Sequence, residues 1–300
     1  MSTTRHGALY GVAAYTLWGL FPLYWPLLEP AGAVEILAHR IVWSLVVVVV
    51  LLSLGGRLAA LRRLGRRAYV LLSVAAVVIT VNWGTYIWGV NNEHVVETSL
   101  GYFVNPLVTV LMGVVVLGER LRPAQWGAVA LASVAVIVLT LDYGRPPWIA
   151  LTLAFSFATY GLLKKKAGVG AAESLAVETG VLVLPAAAYL LWLGARGAGT
   201  FGTQGLGHAV LLAGAGLVTA VPLLFFSAAA TRVPLTTLGL LQYLAPTFQF
   251  AIGVFLYGEP LPPVRLVGFV LVWAALAVFT VEVLEHRRRQ IRLAVQAAAT

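Results

Sequence analysis

Residues 106–121, PLVTVLMGVVVLGERL, are echoed 140 positions later by residues 246–261, PTFQFAIGVFLYGEPL. Each stretch opens with a proline, continues through eleven mostly apolar residues and closes on Gly-Glu, with a leucine two positions further on. The echo lies in a 300-residue chain of which 60% is hydrophobic. Duplication of an apolar unit is typical of membrane proteins whose path for a solute lies between two halves. The two stretches therefore predict a helical membrane protein built from two related halves.

The composition excludes an ordinary soluble protein. Mean hydropathy is +0.92, and only 10% of the residues are charged, against about 25% in soluble domains. So much apolar surface requires the lipid bilayer as its solvent and partner. The chain has no cysteine, which excludes disulfides, thiol catalysis and cysteine-ligated metal sites. The net charge of +9 is concentrated in short loops beside apolar runs, a pattern that favours membrane topology over nucleic-acid binding.

Ten apolar segments have lengths close to the roughly 20 residues that cross the hydrocarbon core. They cover residues 7–28, 33–54, 69–90, 98–117, 124–141, 148–163, 174–194, 209–228, 236–257 and 264–284. Each segment should be helical, because an isolated strand leaves its backbone groups unsatisfied in lipid. The sequence thus predicts an all-α integral membrane protein with ten transmembrane helices, numbered here as spans 1 to 10.

The basic residues give these spans an orientation. With a cytoplasmic N-terminus, the cytoplasmic segments hold sixteen of the twenty Lys and Arg residues, and the other side holds three. The cytoplasmic set is Arg5, Arg57, Arg62, Arg63, Arg66, Arg67, Arg120, Arg122, Lys164, Lys165, Lys166, Arg232, Arg287, Arg288, Arg289 and Arg292, and the other set is Arg145, Arg196 and Arg265. Because positive residues accumulate in cytoplasmic loops, this split predicts ten spans with both termini cytoplasmic.

The span map divides the chain into two five-helix repeats. The first repeat covers residues 1–145, the second covers residues 146–285, and residues 286–300 form a basic cytoplasmic tail. Residues 14–20 in span 1 also resemble residues 156–162 in span 6. Since five is odd, the second repeat enters the membrane in the opposite sense to the first. The repeats are therefore expected to be inverted, related by an axis in the membrane plane.

The chain resembles the EamA-type drug/metabolite transporters, and specifically their RarD subgroup. The resemblance lies in residues 14–15, 17–19, 35–40, 43–44, 82–83, 87–92, 97–107, 117–120, 154–157, 228–232, 242–243 and 257–259. It spans residues 7–285 and implies a ten-helix inverted-repeat transporter in the bacterial cytoplasmic (inner) membrane. Smaller relatives couple drug export to protons through a carboxylate in the first span. Span 1 offers Tyr15, Thr16 and Trp18 instead, so the same coupling is not implied.

Two charged residues inside the spans are the leading candidates for a substrate site. Arg40 in span 2 is costly in lipid and should face the interior. There it could clamp a substrate anion or form a structural ion pair. Alternatively, its side chain could snorkel to the membrane interface. Glu178 holds the equivalent place in span 7, aligned with His39. It could pair with Arg40, take up a proton or bind a cationic substrate. His39 could relay protons or simply pack within the bundle.

A further set of polar and aromatic residues is predicted to line the substrate cavity or to shape it. Proline frees a backbone carbonyl, so prolines in spans 4 and 9 could act as hinges facing a polar cavity or could merely shape packing. The predicted lining residues are Asn82, Tyr102, Asn105, Gln242 and Tyr243, with Trp18 and Tyr160 as a stacking pair, and the hinges are Pro106 and Pro246. Trp25, Trp126 and Trp148 are expected to be interfacial anchors. Glu119 and Glu259 are expected to tie loops to neighbouring amides or bases.

The sequence contains no catalytic motif and no ATP-binding loop, so neither an enzyme nor a cofactor is predicted. The prediction is a secondary active or facilitated transporter that exports small amphipathic metabolites or drugs by alternating access, with a central site between the repeats. Its expected partners are a small-molecule substrate, the bilayer, and protons or another coupling ion. Monomer and homodimer both stay open. The alternatives are a flippase-like lipid-handling protein, an intramembrane enzyme, and a receptor without transport.

Overall fold

The computed structural model describes residues 2–118, 120–230, 232–233 and 235–297, and within them all regular structure is helical. Ten long segments follow one another along the chain. They are α1 (Ser2–Gly19), α2 (Ala33–Leu54), α3 (Arg66–Asn91), α4 (Val95–Leu117), α5 (Pro123–Tyr143), α6 (Trp148–Ala167), α7 (Ala171–Ala195), α8 (Gly205–Ala230), α9 and α10 (Pro263–Ala297). The ninth, α9, comprises Leu235–Leu241, Leu244–Ala251 and the π-helical turn Ile252–Leu256.

Most of these helices suit the hydrocarbon core of a membrane. Within the described residues, eight helices are long and apolar enough to cross it, namely α2 to α5 and α7 to α10. The other two, α1 and α6, occupy predicted spans 1 and 6 but fall short of that criterion. The last turn of α6 is basic, with Lys164, Lys165 and Lys166, and the 18 residues of α1 begin with the polar sequence STTRH. The chain is therefore an all-α integral membrane protein, and the count of ten crossings stays a prediction.

The helices alternate in direction between two ends of the bundle. One end of the bundle, which we call the basic end, holds Arg57 and the three lysines of residues 164–166. There, Arg57 after α2 pairs with Glu173 at the start of α7 at 2.6 Å. At the opposite end, the Glu35 carboxylate near the start of α2 accepts the Thr200 backbone N–H, before α8, at 2.7 Å. The connections after α2, α4, α6 and α8 thus lie at the basic end. Those after α1, α3, α5, α7 and α9 lie at the opposite end.

The helix pairs that pack together follow a pattern. Helix α1 packs on α8 and α9, as α6 packs on α3 and α4. Helix α2 packs on α8, as α7 packs on α3, and α2·α7, α4·α9 and α5·α10 form direct pairs. Exchange each of α1 to α5 with the helix five places later, so that α1 becomes α6 and α6 becomes α1. This exchange converts the set of pairs into itself.

The two largest buried apolar clusters form most of the core. The first surrounds Trp25 and Ile36, where the end of span 1 meets α2, α3, α6 and α8. The second surrounds Phe103 and Phe269, where α4, α5, α6, α9 and α10 meet. Trp25 is fully buried, so its predicted role as an interfacial anchor is wrong, whereas Trp126 and Trp148 are both exposed. Proline-driven folding of the chain after α1 turns Trp25 inward, a feature that hydropathy alone does not indicate.

Span 1 is not one continuous helix, contrary to the prediction for residues 7–28. Helix α1 ends at Gly19 and is followed by two short turns, each with a proline at its start. Because Pro22 has no N–H, the carbonyl of Trp18 four residues earlier loses its helical donor. The side-chain amide of Gln249 in α9 donates to this carbonyl at 3.2 Å. The break is thereby satisfied by a residue of the other half of the chain.

Close helix contact in the bundle relies on glycine at the α2–α8 crossing. A Cβ added to Gly216 would lie 2.5 Å from the carbonyl carbon and oxygen of Trp43. A contact this short with backbone cannot be relieved by rotating a side chain. Small residues allow such approach in membrane bundles, where packing and not water drives association. The close spacing of α2 and α8 therefore depends on the absence of a side chain at Gly216.

Gly216→Ala is expected to lower the free energy of unfolding by about 1–3 kcal/mol, the usual cost of overpacking. The control is Gly207→Ala in the same helix, because a Cβ there meets nothing within 4 Å. Thermal unfolding of the purified variants in detergent measures the difference. Equal melting temperatures for the two variants would show that α2 and α8 separate without cost.

The two predicted hinge prolines lie in different local structures. Pro106 is inside α4, which continues through it without interruption. Pro246 is the third residue of Leu244–Ala251, after a break in α9 at Gln242 and Tyr243. A proline in a first turn costs little, because the amides there have no intrahelical partner. Whether either proline acts as a hinge stays a prediction.

Candidate functional site

The most unusual side chain in the bundle is Arg40, the eighth residue of α2, which is only 3% exposed. Its Nε donates to Thr219 Oγ1 of α8 at 2.9 Å. Its guanidinium carbon lies 3.9 Å from the ring centre of Trp83, 5.2 Å from that of Trp25 and 5.8 Å from that of Phe21. These aromatic faces attract the cation. They supply no negative charge and accept no conventional hydrogen bond.

Two of the three roles considered for Arg40 lack support in this geometry. Within the described residues, no carboxylate lies within 4.0 Å of the guanidinium, so there is no structural ion pair. The side chain is enclosed and does not snorkel to an interface. An isolated buried charge is strongly disfavoured. The remaining role, binding of an anion from outside the protein, is the one that would supply the missing charge.

A polar layer from three helices lies beside Arg40. The Asn82 amide of α3 donates to the Leu153 carbonyl at 3.0 Å and to Ser156 Oγ at 2.9 Å, both on α6. The Tyr102 hydroxyl of α4 donates to Asn82 Oδ1 at 3.1 Å. Tyr102 also touches the ring of Tyr86 edge-on, at 5.6 Å between centres. Tyr86 and Tyr102 are both close enough to Arg40 to interact electrostatically.

Glu178, the eighth residue of α7, forms a second buried polar cluster. The carboxylate is 1% exposed and lies 3.1 Å from the Lys164 ammonium. It also accepts hydrogen bonds from the Tyr160 hydroxyl at 3.0 Å and from Ser174 Oγ at 2.8 Å. Lys164 donates to the Tyr160 oxygen at 2.9 Å. The carboxylate is therefore neutralised and hydrogen-bonded within its own half of the chain.

Arg40 and Glu178 occupy equivalent positions but do not meet. Each lies seven residues after the first residue of its helix, and Gly32 and Gly170 cap the two helices in the same extended conformation. The helix starts thus align Glu178 with Arg40 and not with His39. Because α2 and α7 run in opposite directions, seven residues at 1.5 Å each place the two charges about 10 Å from opposite ends. Of the roles considered for Glu178, the pair with Arg40 is therefore not formed, and Lys164 is the partner of Glu178.

His39 lies on a different face of α2 from Arg40. Its ring stacks on Phe201 of the α7–α8 loop, at 4.9 Å between centres, and neither ring nitrogen has a hydrogen-bond partner within the described residues. Trp18 packs edge-on against Tyr15 and tilted against Phe226. No ring contact joins Trp18 to Tyr160 in the described part of the chain.

The predicted residues of span 9 line a separate cleft. Gln242 and Tyr243 face a space of about 230 Å³ between the break in α9 and helix α10. The Tyr243 hydroxyl lies 3.4 Å from Thr280 Oγ1 of α10. Among the described residues, the hydrogen bonds of Asn105 in α4 are local: its carbonyl accepts the Thr109 hydroxyl at 2.9 Å. These side chains are not brought together with Tyr102 around Arg40.

Sequence reasoning missed three residues that complete the two clusters. Thr219 is one more small polar residue in an apolar helix, and nothing in its neighbourhood marks it as the partner of Arg40. Lys164 and Ser174 complete the Glu178 cluster. Two signals were available for these. Lys164 follows Tyr160 by one helical turn, and Ser174 precedes Glu178 by one turn, the spacing at which helical side chains meet.

The glutamate of the second echo joins the two halves at the opposite end. Glu259 accepts the backbone N–H groups of Val95 at 2.5 Å and Val96 at 2.8 Å, the first two residues of α4. A carboxylate at a helix N-terminus accepts hydrogen bonds from the free N–H groups and is attracted to the positive end of the helix dipole. Glu259 thus ties the loop after α9 to backbone amides, as expected. These amides belong to α4 and not to α10, the helix that follows the loop. Glu119 lies outside the described residues.

The stability of the protein should depend on the protonation of Glu259. Burial raises its pKa above the ordinary value of 4.5, although the two amide bonds and Arg265 act in the opposite direction and Glu93 adds to the rise. A raised native pKa contributes stability that is present below pH 4.5 and is lost as the pH rises through that pKa. Wild type should therefore lose stability relative to Glu259→Gln as the pH rises from about 4.5. Melting temperatures over pH 4–8 test this, with the exposed Glu285→Gln as control; parallel curves for all three proteins would contradict it.

Known proteins resemble this chain over nearly its whole length. A family model described as the EamA-like transporter family matches residues 5–141. Protein RarD of Streptomyces exfoliatus is 62% identical over 98% of this chain and 94% of its own length. An uncharacterized transporter of Pseudomonas aeruginosa is 44% identical over 95% of this chain and 96% of its own length. A crystal structure of a protein 18% identical has a TM-score of 0.59, covering 91% of this chain and 96% of the other, a likeness of fold alone.

The relatives and the geometry point the same way. Long apolar helices enclose buried polar groups contributed by both halves, as in a protein that passes solutes through the bilayer. The relatives cover nearly the full chain at identities far above chance, and several of them are called uncharacterized transporters. The chain belongs to the EamA-type drug/metabolite transporter superfamily, in its RarD subgroup.

Proposed function

We propose that this membrane transporter exports small amphipathic metabolites or drugs across the bacterial cytoplasmic membrane, with its substrate bound at Arg40 between the two halves. The observation that carries the proposal is a buried guanidinium, bonded to Thr219 of the other half, without a carboxylate partner in the described residues. A buried charge without a counter-ion is rarely kept in a membrane protein unless it acts on a substrate or ion. The substrate would be a small molecule, and no cofactor is required.

The proposed architecture is ten spans in two inverted five-helix repeats, residues 1–145 and 146–285. Its support is the exchange of helix-packing pairs under a shift of five helices. A second support is the equivalent placement of Arg40 and Glu178 in α2 and α7, which run in opposite directions. The excess of Lys and Arg at the basic end favours cytoplasmic termini and a cytoplasmic tail over residues 286–300.

Alternating access between these halves is the proposed mechanism. Contacts between the halves tie both ends of the bundle: Glu259 bonds the start of α4 and Glu35 bonds Thr200 at the opposite end, while Arg57 pairs with Glu173 at the basic end. Opening one end would require its contacts to break while those at the other end hold. Pro106 and Pro246 are the proposed hinges. The site is contained within one chain, so it can operate in a monomer or a homodimer.

The remaining predicted residues take places around this path. Tyr102 and Asn82 would form the polar wall beside Arg40, and Trp18 and Tyr160 would flank the path from the two halves. Asn105, Gln242 and Tyr243 would act on the α4–α9 side, and His39 beneath the α7–α8 loop. Glu178 is the group available to a coupling ion, a proton above all, because Lys164 could take over its neutralisation when the proton leaves.

Uptake into proteoliposomes tests the proposal. Purified full-length protein is reconstituted and supplied with a panel of amino acids, purines and drugs, with and without a pH gradient. Arg40→Ala should abolish uptake of any solute that wild type carries. The control is Arg196→Ala, an exposed arginine at the opposite end. If no solute crosses and Arg40→Ala alters no ligand's stabilisation of the protein, the transport proposal is wrong.

Lipid handling is a second candidate, favoured by the cleft between α9 and α10. Its walls are mostly apolar, with Leu240, Phe279, Val283 and Leu284 among them, and it is large enough for part of an acyl chain. A fluorescent-lipid scrambling assay in the same vesicles distinguishes this activity. Scrambling that is unaffected by Arg40→Ala would favour the cleft over the Arg40 site.

A further inference from the structure

We propose that the substrate of the Arg40 site is a small organic monoanion, a carboxylate with an apolar body, and that the membrane potential alone drives it out of the cell. This inference rests on the proposed function and specifies its substrate class, direction and driving force. It follows from the charge that the buried groups carry, the donors they leave unused and the sign of the membrane potential.

The first step is the charge of the buried ionisable groups in the described part of the bundle. Glu178 is neutralised by Lys164 at 3.1 Å, and Glu97 and Glu173 pair with Arg145 and Arg57. Glu35 has no cation but accepts both the N–H and the hydroxyl of Thr200. Among the buried charged groups of the described residues, Arg40 alone has neither a counter-ion nor a full set of hydrogen bonds. The guanidinium of Arg40 is therefore the one buried charge of the described residues left uncompensated, although the carboxylate of Glu35 makes the net charge of these groups zero.

The contrast between Arg40 and Glu178 makes this charge informative. The two residues are equivalent in the proposed repeats, yet the chain supplies a cation for the carboxylate and no anion for the guanidinium. One added negative charge beside Arg40 would supply the counter-ion that the guanidinium lacks. A dianion leaves an unpaired charge, and so does a cation. Both cost much more in a low-dielectric interior than in water.

The second step is the polarity of the unused groups near Arg40. Trp25 Nε1, Tyr86 OH and Ser44 Oγ are buried and have no hydrogen-bond partner within the described residues. Trp25 lies against the guanidinium, Tyr86 interacts with it electrostatically, and Ser44 is one helical turn further along α2. An indole can only donate, and hydroxyls can donate. Arg40 itself uses only Nε. The site is rich in donors, which suits the acceptor oxygens of a carboxylate.

The third step disfavours zwitterions. The ammonium of an amino acid would need a counter-ion near Arg40, and in the described residues no carboxylate lies within 4.0 Å of the guanidinium; the Asn82 oxygen, which already accepts from Tyr102, is a neutral acceptor. The equivalent carboxylate, Glu178, is occupied by Lys164 and lies nearer the other end of the bundle. The surroundings of Arg40 are otherwise apolar, including Phe21, Trp83 and Leu37. An aliphatic or aromatic monocarboxylate fits these surroundings better than an amino acid.

The fourth step gives the driving force. The cytoplasm is electrically negative, so a monoanion that crosses alone is driven outward. One elementary charge moving through 100 mV supports a concentration ratio of roughly 50-fold. Within the described residues, α1 carries no carboxylate, so the first span offers no proton site. A monoanion needs no coupling ion, and export is the direction that the potential favours.

The test uses full-length protein in vesicles whose potential is set by a potassium gradient and valinomycin. The probe is benzenesulfonate, a monoanion at all pH values that does not leak through lipid as a neutral acid. The comparison solutes are benzenedisulfonate, trimethylphenylammonium and phenylalanine. With the interior positive, benzenesulfonate should accumulate roughly 50-fold per 100 mV. Reversing the potential should abolish accumulation, and a pH gradient alone should have no effect.

Variants connect the charge preference to Arg40. Arg40→Gln should remove accumulation of benzenesulfonate and its protection against thermal unfolding, whereas Arg40→Lys should retain both in weakened form. Movement of phenylalanine or the cation without the anion would overturn the substrate class while leaving the transporter intact. Accumulation driven by a pH gradient and not by potential would overturn the driving force. If none of the solutes in this test or the wider panel crosses, the proposed function itself fails.

Discussion

Replacing Arg40 by methionine is expected to give a folded protein, slightly more stable than wild type, that has lost at least 100-fold in transport. Two charge-assisted hydrogen bonds to a substrate carboxylate contribute about 1.5–3 kcal/mol each, and losing about 3 kcal/mol corresponds to roughly 100-fold. Stability should rise because a buried, uncompensated charge is removed. Apolar replacement of buried charged groups is often neutral or stabilising by about 1–4 kcal/mol.

The gain should lie at the lower end of that range, near about 1 kcal/mol. The guanidinium also contributes its contact with Trp83 at 3.9 Å and its bond to Thr219, and both are lost in the variant. The measurements are melting temperature in detergent and solute uptake into proteoliposomes. Arg196→Met serves as control, since this exposed arginine only covers the face of Trp192, at 4.5 Å.

The combination of outcomes separates the possible roles of Arg40. Loss of transport with unchanged or higher stability identifies a binding group, because a structural group cannot be removed without cost. Loss of both indicates that the aromatic and threonine contacts hold the helices together. Retention of transport would move the substrate site elsewhere, and the cleft at Gln242 and Tyr243 would then be the first place to examine.

The position of most helices could be predicted from the sequence because hydropathy and loop charge are local signals. Eight predicted spans coincide with helices long and apolar enough to cross a membrane. The breaks at Gly19 and at Gln242 could not be placed in this way. Pro22 interrupts the first segment, whereas Pro106 in α4 does not interrupt its helix. At Pro22 the exposed carbonyl of Trp18 accepts the side-chain amide of Gln249, a long-range contact that local sequence does not indicate.

The buried charges could be recognised in the sequence, but their partners could not. A charged residue within an apolar segment is conspicuous, and both Arg40 and Glu178 are buried as expected. Similarity of their positions in the two halves suggested a pair. Helices α2 and α7 run in opposite directions, so the two positions lie at different depths and do not meet. The partner of Glu178 instead comes from Lys164, whose place at the end of α6 had suggested only a topology signal.

The Lys164–Glu178 pair should therefore be the largest single electrostatic contribution to stability in the second half. Lys164→Met leaves a carboxylate 1% exposed without its cation. Breaking a buried pair costs about 3–5 kcal/mol, and we expect about 3 kcal/mol because the Lys164 side chain is 23% exposed. Glu178→Gln should cost less, since the lysine can turn towards water.

Replacing both residues together gives the decisive comparison. Lys164→Met with Glu178→Gln removes both charges and keeps an acceptor for Tyr160 and Ser174, so the double variant should be more stable than Lys164→Met alone by about 2 kcal/mol. Lys165→Met is the control, because this neighbouring lysine is exposed and pairs with no carboxylate in the described residues. Equilibrium unfolding in mixed micelles measures the four variants and the wild type. Additive effects of the two substitutions would show that the pair is not coupled.

Transport by the double variant distinguishes two roles of Glu178. If the double variant keeps potential-driven anion transport, Glu178 serves structure and the moving charge belongs to the substrate. If it loses a dependence on pH that wild type has, Glu178 is the site of a coupling proton.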